Sequence, residues 1–260
     1  MAGVYSLASR VSYRTWLVFL LASLLPRLPS YGQHLEAIGV AVSFNVTQTL
    51  ATPETILLPS DYAIATNGDG SKYDDIGYRL AAFARFRVKQ SRFFVQPEVG
   101  YTATEGQRYL VLYGLSSRYG ASYFPFAHHI RRWEIAGLGG LHTGRHTYVL
   151  LGPVLAFNEH EVPLVVDPTD YPAGAKISNS LTESVITTQA LAQLGVGVTF
   201  GRFDFNLRIE QSLTPYTRRF TFDGGTYGYR QQIRQGLFTA GILLYKAKPQ
   251  PAAGREQLPY

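Results

Sequence analysis

Between Ile76 and Lys89 the chain changes character at every step: Ile76, Tyr78, Leu80, Ala82, Ala84, Phe86 and Val88 hold the even positions, and Arg79, Arg85, Arg87 and Lys89 stand among the odd ones. A period of two puts the sets on opposite sides of an extended chain, so the segment is predicted as a strand with one apolar and one basic face. The next run repeats this, with Phe93, Val95, Pro97, Val99, Tyr101 and Ala103 against Arg92, Gln96, Glu98, Thr102 and Thr104. Folding the second run back across Gln90-Ser91 sets Phe86 opposite Val95 and Arg85 opposite Gln96. Like then meets like, which makes a short hairpin the consistent solution.

The same test finds six further strands. Ile38, Val40, Val42, Phe44 and Val46 share a face in 36–47, and Trp133, Ile135 and Leu141 stand against Arg132, Glu134 and His142 in 131–142. Alternation also runs through 146–157, 188–200 and 202–213, the last setting Phe203, Phe205, Leu207 and Ile209 against Asp204, Asn206, Arg208 and Glu210. In 234–246 apolar residues occupy both parities, so the faces are not assigned.

Connection lengths order these eight strands. The tight turns fall near Gln90-Ser91, Thr143-Gly144-Arg145 and Gly201-Arg202, and they alternate with long connections over roughly 48–75, 105–130, 158–187 and 214–233. Bacterial outer-membrane barrels have short periplasmic turns and long outer loops. The pattern therefore predicts an all-β protein, an eight-stranded antiparallel up-and-down transmembrane β-barrel spanning 33–246 with both ends on the periplasmic side. A soluble lipocalin-like ligand-binding barrel would use the same alternation inside out. The polar parity carries Ala81, Ala136, Leu138, Gly140, Leu191, Gly195 and Gly197, and only 16% of residues are charged, which suits a cramped interior better than a solvated surface.

The N-terminus changes how the charge is read. Arg10 and Arg14 precede the apolar stretch Trp16–Leu25, and Ser30-Tyr31-Gly32 precedes Gln33, the parts of a secretory signal peptide over 1–32. Cleavage there removes Arg10, Arg14 and Arg27 from 24 basic residues and none of the 18 acids, so +6 becomes 21 − 18 = +3. A nucleic-acid partner loses its support; the expected surroundings are outer-membrane lipid, with a protein partner in the cell envelope left open. Residues 247–260, with Pro249, Pro251 and Pro259, are expected to form a disordered periplasmic tail.

In a barrel held in lipid the charged parity points inward. Eight strands leave room for side chains but not for a wide channel, so Arg79, Arg85, Arg87, Gln96, Glu98, Glu134, Asp204, Arg208 and Glu210 are expected to form a polar network in the lumen, with Glu98 diagonal to Arg85 and within reach of it. The arginines in that set also fit a narrow polar or anion-preferring conduit. On the outer side, Tyr123, Phe124, Phe126, Arg218, Arg219, Tyr227 and Tyr229 are residue types that dominate binding hot spots, or else belong to the aromatic belt at the bilayer boundary.

Candidate chemistry is thin. The absence of cysteine removes disulfides, thiolate metal sites and cysteine catalysis. His142 and His146 flank one turn without an acid near in sequence to complete a metal site, and Asn67-Gly68-Asp69-Gly70-Ser71 lacks the closing glutamate of a calcium loop. His128 or His160 with Ser116, Ser117 or Ser122 would be needed for an outer-membrane lipid-modifying enzyme, but nothing in the spacing selects them. No catalytic residue, metal or cofactor is therefore expected.

The segment ending Tyr31-Gly32-Gln33, the run Gly77–Tyr101, the Trp133-Glu134-Ile135 strand and the Leu151-Gly152-Pro153 strand resemble the PorT-like outer-membrane β-barrel family of Bacteroidota. The resemblance implies an eight-stranded outer-membrane barrel with no catalytic residues, in a family whose founding member is linked to protein secretion across the outer membrane. The chain departs from the family pattern at Ala136-Gly137, where proline is common, and in the fourteen residues after Lys246.

Overall fold

The structure, a computed structural model, describes residues 33–52, 55–59, 62–65, 75–88, 91–112, 122–159, 172–228 and 230–247. The segment 1–32 and all of the tail but Ala247 lie outside the described residues, as do the Asn67–Ser71 turn, Ser116, Ser117, Tyr229 and His160.

Eight strands close into a ring: β1 (Gln33–Thr52), β4 (Asp75–Val88), β5 (Phe93–Leu112), β6 (Ser122–His142), β7 (Thr147–Asn158), β8 (Thr188–Phe200), β9 (Phe203–Ser212) and β12 (Arg230–Lys246). Each pairs with its neighbours in sequence, and β12 returns to β1 from Ala37 opposite Lys246 to Thr52 opposite Arg230. Every barrel strand thus has a partner on each side, which a bilayer demands because lipid offers no hydrogen bonds to a free edge. The hairpin register is as expected, with Phe86 opposite Val95. One end carries the short turns, where the Ser91 N–H donates to the Val88 carbonyl and Gly201 takes a positive φ of 59°.

The long connections are more structured than alternation predicts. β5 and β6 pair without a break to Leu112 opposite Ser122, so much of 105–130 is a protruding ribbon. The hairpin of β2 (Thr55–Leu58) and β3 (Tyr62–Ala65) adds to it along β5. A helix α1 (Pro172–Glu183) starts on proline, which costs nothing at the first helical position. It turns Ile177 and Leu181, four residues apart, into an apolar cluster with Ile56, Leu58, Ile64 and the small hairpin of β10 (Phe220–Phe222) and β11 (Gly225–Tyr227). Ile130, Val185, Tyr216 and Ile233 form a second cluster. Tyr216 N–H donates to the Gln231 carbonyl and Ile186 N–H to the Tyr216 carbonyl, tying these segments to the barrel's outer end.

Faces follow the alternation. Val42, Phe44, Leu80, Val99, Leu151, Leu194, Ile209 and Phe238 point outward and are exposed, while the opposite parity is buried. The unassigned last strand proves to send Gln231, Ile233, Gln235, Leu237, Thr239 and Leu243 inward. Its pattern was hidden because Leu237 and Leu243 are apolar lumen residues, Leu243 packing with Ala37 and Phe83, and because a register shift between Ile38 and Gly39 inserts Leu244 and breaks the parity.

Inward glycines make space for large side chains that lie over the neighbouring strand, Gly140 being paired with Phe94 and Gly197 with Tyr148. A Cβ on Gly140 would fall 2.0 Å from the Phe94 ring, and one on Gly197 2.2 Å from that of Tyr148, whereas outward Gly137 has nothing within 4 Å. Gly140→Ala is expected to lower stability by about 1–3 kcal/mol, the usual range for overpacking, and Gly137→Ala to leave it nearly unchanged. Urea titration in lipid vesicles, read by the folded band's gel mobility, measures both, and equal stabilities would contradict this packing.

Candidate functional site

The lumen holds the densest chemistry among the described residues. Among the described residues its buried charges are four arginines, Arg79, Arg85, Arg132 and Arg208, and four acids, Glu98, Glu134, Asp204 and Glu210. They are brought together by strand pairing over long stretches of sequence, and most belong to one closed circuit.

The circuit starts at Arg79 on β4, whose Nε donates to Glu134 Oε2 at 2.6 Å and whose Nη2 donates to Glu98 Oε2 at 3.2 Å. Glu134 on β6 also accepts from Arg132 Nε at 2.6 Å and from the Thr102 hydroxyl at 2.8 Å. Arg132 Nη2 donates to Glu210 on β9 and, at 3.0 Å, to Gln235 Oε1 on β12. Gln193 on β8 links Glu210 to Arg208, donating to the first at 3.3 Å and accepting from the second at 3.1 Å. Arg208 Nη1 donates to Glu98 Oε2 at 2.8 Å and closes the ring.

A second group lies toward the short-turn end. The Arg85 guanidinium lies against the rings of Phe94 and Tyr148, 4.7 and 4.4 Å from their centroids, and the two rings meet each other edge to face at 5.7 Å; such a cation–π arrangement is favoured when the cation is desolvated. Its Nε donates to Gln96 Oε1 at 2.7 Å and its Nη2 to Asp204 Oδ1 at 3.4 Å. Asp204 accepts the Tyr148 hydroxyl at 2.6 Å and the Thr199 hydroxyl at 2.7 Å. Gln96 bridges the two groups by donating to Glu98 Oε1 at 2.6 Å. The pairing of Arg85 with Glu98 expected from the hairpin register therefore does not form. Gln96 stands between them, Glu98 takes Arg79 and Arg208, and Arg85 finds its acid on β9.

Eight of the nine expected lumen residues lie inside. Arg87 is the correction: its side chain is 45% exposed at the short-turn mouth, where its Nε donates to Glu36 Oε2 at 3.1 Å and His142 Nε2 lies 3.1 Å from Glu36 Oε1. The inward parity of β4 reaches the rim at Arg87, so the residue faces water rather than the core. His142 and His146 do not share a site, since His146 Nδ1 lies 3.1 Å from the Thr199 carbonyl and its ring stacks on Phe200. Alternation placed Arg132 on the polar face without marking it as a site residue, and it turns out to be the hinge of the ring. Tyr148 carried a signal too, a tyrosine sharing the inward parity of β7 with Leu150, Gly152, Val154 and Ala156.

The outer candidates divide. Tyr123, Phe124 and Phe126 belong to β6, paired with Val111, Leu110 and Arg108, and not to a loop. Tyr227 packs against the apolar cluster of the outer end with its ring stacked on Phe220 at 5.4 Å, so it serves the fold. Arg218 and Arg219 are exposed.

The ring consists of charges in contact, and each ion costs several kcal/mol to desolvate. Removing one partner strands the others. Glu134→Ala is expected to destabilise the barrel by about 3–5 kcal/mol by leaving two buried guanidinium groups, Arg79 and Arg132, each with one acid instead of two, while Glu36→Ala at the wet mouth should cost about 1 kcal/mol or less. Urea midpoints in vesicles test the difference, and a Glu36 effect as large as the Glu134 effect would refute the ring's role.

The outward belt, the hydrogen-bonded closure and the charged interior identify a transmembrane barrel of the outer-membrane type. No protein-family model matches the chain, and no curated protein matches it. Among solved structures it is similar to Ail, the attachment invasion locus protein of Yersinia pestis crystallised with the heparin analogue sucrose octasulfate, at 7% identity over 81% of this chain and 100% of that one, TM-score 0.38. It is also similar to the outer membrane protein AlkL, solved by solid-state NMR in DMPC bilayers, at 10% identity over 84% of this chain and 95% of that one, TM-score 0.37.

Proposed function

We propose that this protein is a non-enzymatic component of the outer membrane of a Gram-negative bacterium, a PorT-like barrel of Bacteroidota that works through its outer surface as a structural, binding or secretion-accessory element. The observation that carries the reading is the charge balance of the lumen. Four arginines meet four acids among the described buried residues, three of each in a circuit drawing on β4, β5, β6, β8 and β9 and anchored to β12, and Arg85 with Asp204 beside it. A conduit for anions needs an uncompensated positive lining, but each of the four buried arginines contacts an acid, and Arg87 lies at the rim. A solute would have to break several charge-assisted hydrogen bonds at once, each worth roughly 1.5–3 kcal/mol. Apolar side chains fill the wall beside the circuit, with Phe94, Leu138, Leu150, Val154 and Leu191 all buried.

Planar-bilayer recording of the purified barrel tests the reading. We expect no steady conductance above the bare bilayer for the natural sequence. A reproducible anion current that falls when Arg79 or Arg208 is replaced by glutamine would overturn the sealed lumen in favour of the narrow conduit. Cross-linking and co-purification from the native membrane then identify what the outer surface holds.

A further inference from the structure

The outer boundary of the apolar belt is built differently on the two sides of the barrel. Around β4 to β7 it is aromatic: Tyr78, Tyr101, Trp133 and Phe157 face outward, with Tyr101 and Trp133 in ring contact at 5.1 Å. Tyrosine and tryptophan collect at this level because one end of the ring is apolar and the other is wet. Across β9, β12 and β1 the aromatic residues stop. Arg234 on β12 stands opposite Gln48 on β1 and Gln211 on β9, all on the outward parity, and Arg234 Nε donates to Gln211 Oε1 at 2.9 Å. Two steps below on β12 is Gly236, and four below is Phe238 in the apolar belt. Four steps above, on the same face, is Arg230.

Two further cations join this side. Tyr216 N–H donates to the Gln231 carbonyl and Gln231 N–H to the Thr217 hydroxyl, so the segment carrying exposed Arg218 and Arg219 runs beside the start of β12. Among the described residues the exposed acids on the adjoining segments are Glu183, next to the Ser184 carbonyl that holds Arg218 N–H, and Asp223 in the β10–β11 turn. Among the described residues these four arginines thus outnumber the exposed acids of the adjoining segments by four to two, and none of the four is in an ion pair.

We propose that this face binds the phosphate groups of an anionic lipid in the surrounding outer leaflet, Arg234 and Arg230 taking the phosphates and Arg218 and Arg219 adding to the field above them. Arginine presents a planar fork that grips phosphate oxygens in pairs, and it does so best at headgroup level, where the charge is partly desolvated. The choice of a lipid over a soluble polyanion rests on Gly236. A Cβ there would meet nothing within 4 Å, so directly beneath Arg234 the wall is bare and open to an acyl chain whose phosphate reaches the guanidinium. This inference depends on the membrane placement and not on whether the lumen conducts.

The test uses the full barrel in detergent micelles, titrated in native mass spectrometry with a phosphorylated acyl-glucosamine lipid, with its dephosphorylated form, and with a soluble sulfated sugar. The double variant Arg230→Gln, Arg234→Gln should bind the phosphorylated lipid roughly 10- to 30-fold more weakly and the dephosphorylated lipid unchanged. Gly236→Leu should weaken the lipid but not the sugar. Arg92→Gln with Arg202→Gln, at the short-turn end, should match the natural sequence, and heat-modifiable gel mobility confirms that each variant is folded. Equal binding of both lipids, or no effect of the arginine pair, would overturn the proposal. Binding of the sugar as tight as that of the lipid, unaffected by a leucine at 236 that also spares the lipid, would reassign the face to a soluble polyanion.

Discussion

The contact between guanidinium and carboxylate in the lumen is what the rest of this structure is arranged to permit. A barrel of eight strands leaves no room for bulk water to solvate a charge, so every ion inside must be neutralised by another ion or a hydrogen-bonding side chain. Glu98 shows the consequence. It accepts from Arg79, Arg208 and Gln96, three side chains on three strands, and is placed by β5 alone. The glycines paired with Phe94 and Tyr148 serve the same end, because those rings lie over the neighbouring strand against Arg85 and would clash with a side chain at the paired position.

Outside, the constraint is reversed. The solvent is hydrocarbon, so apolar side chains there gain little by packing on one another and the outward residues answer to bilayer depth instead. Exposed Val42, Leu151 and Ile209 belong to the belt, aromatic rings mark its outer boundary on one side, and arginine with glutamine marks it on the other. The chain therefore carries two codes interleaved at every second residue, one read by the lumen and one by the membrane.

That interleaving explains what was legible in sequence. Alternation yielded eight strands, their faces and the β4–β5 register, since a slip by one residue would have exchanged Arg85 with Phe86. It could not yield the partners. Arg85 and Asp204 are 119 residues apart, and their meeting depends on how β4 and β9 face each other across the lumen. Arg132 lay on the right face but reads there like any other polar residue. Alternation failed on β12 for a different reason: Leu237 and Leu243 are apolar residues serving the inner code, and the bulge at Leu244 shifts the parity. The long connections misled because β5 and β6 continue as a ribbon beyond the lipid, where the membrane no longer imposes a pattern.

The closed circuit also bears on how the molecule is made. Arg132 reaches forward to Glu210 and Gln235, and Glu98 waits for Arg208, so a nascent sheet ending at β7 holds Arg79 and Arg132 with Glu98 and Glu134 but lacks the partners that complete the ring. Such an intermediate cannot enter hydrocarbon without exposing ions that only the last strands cover. Insertion and closure must then be a single event, with the unfinished lumen kept wet until β12 meets β1.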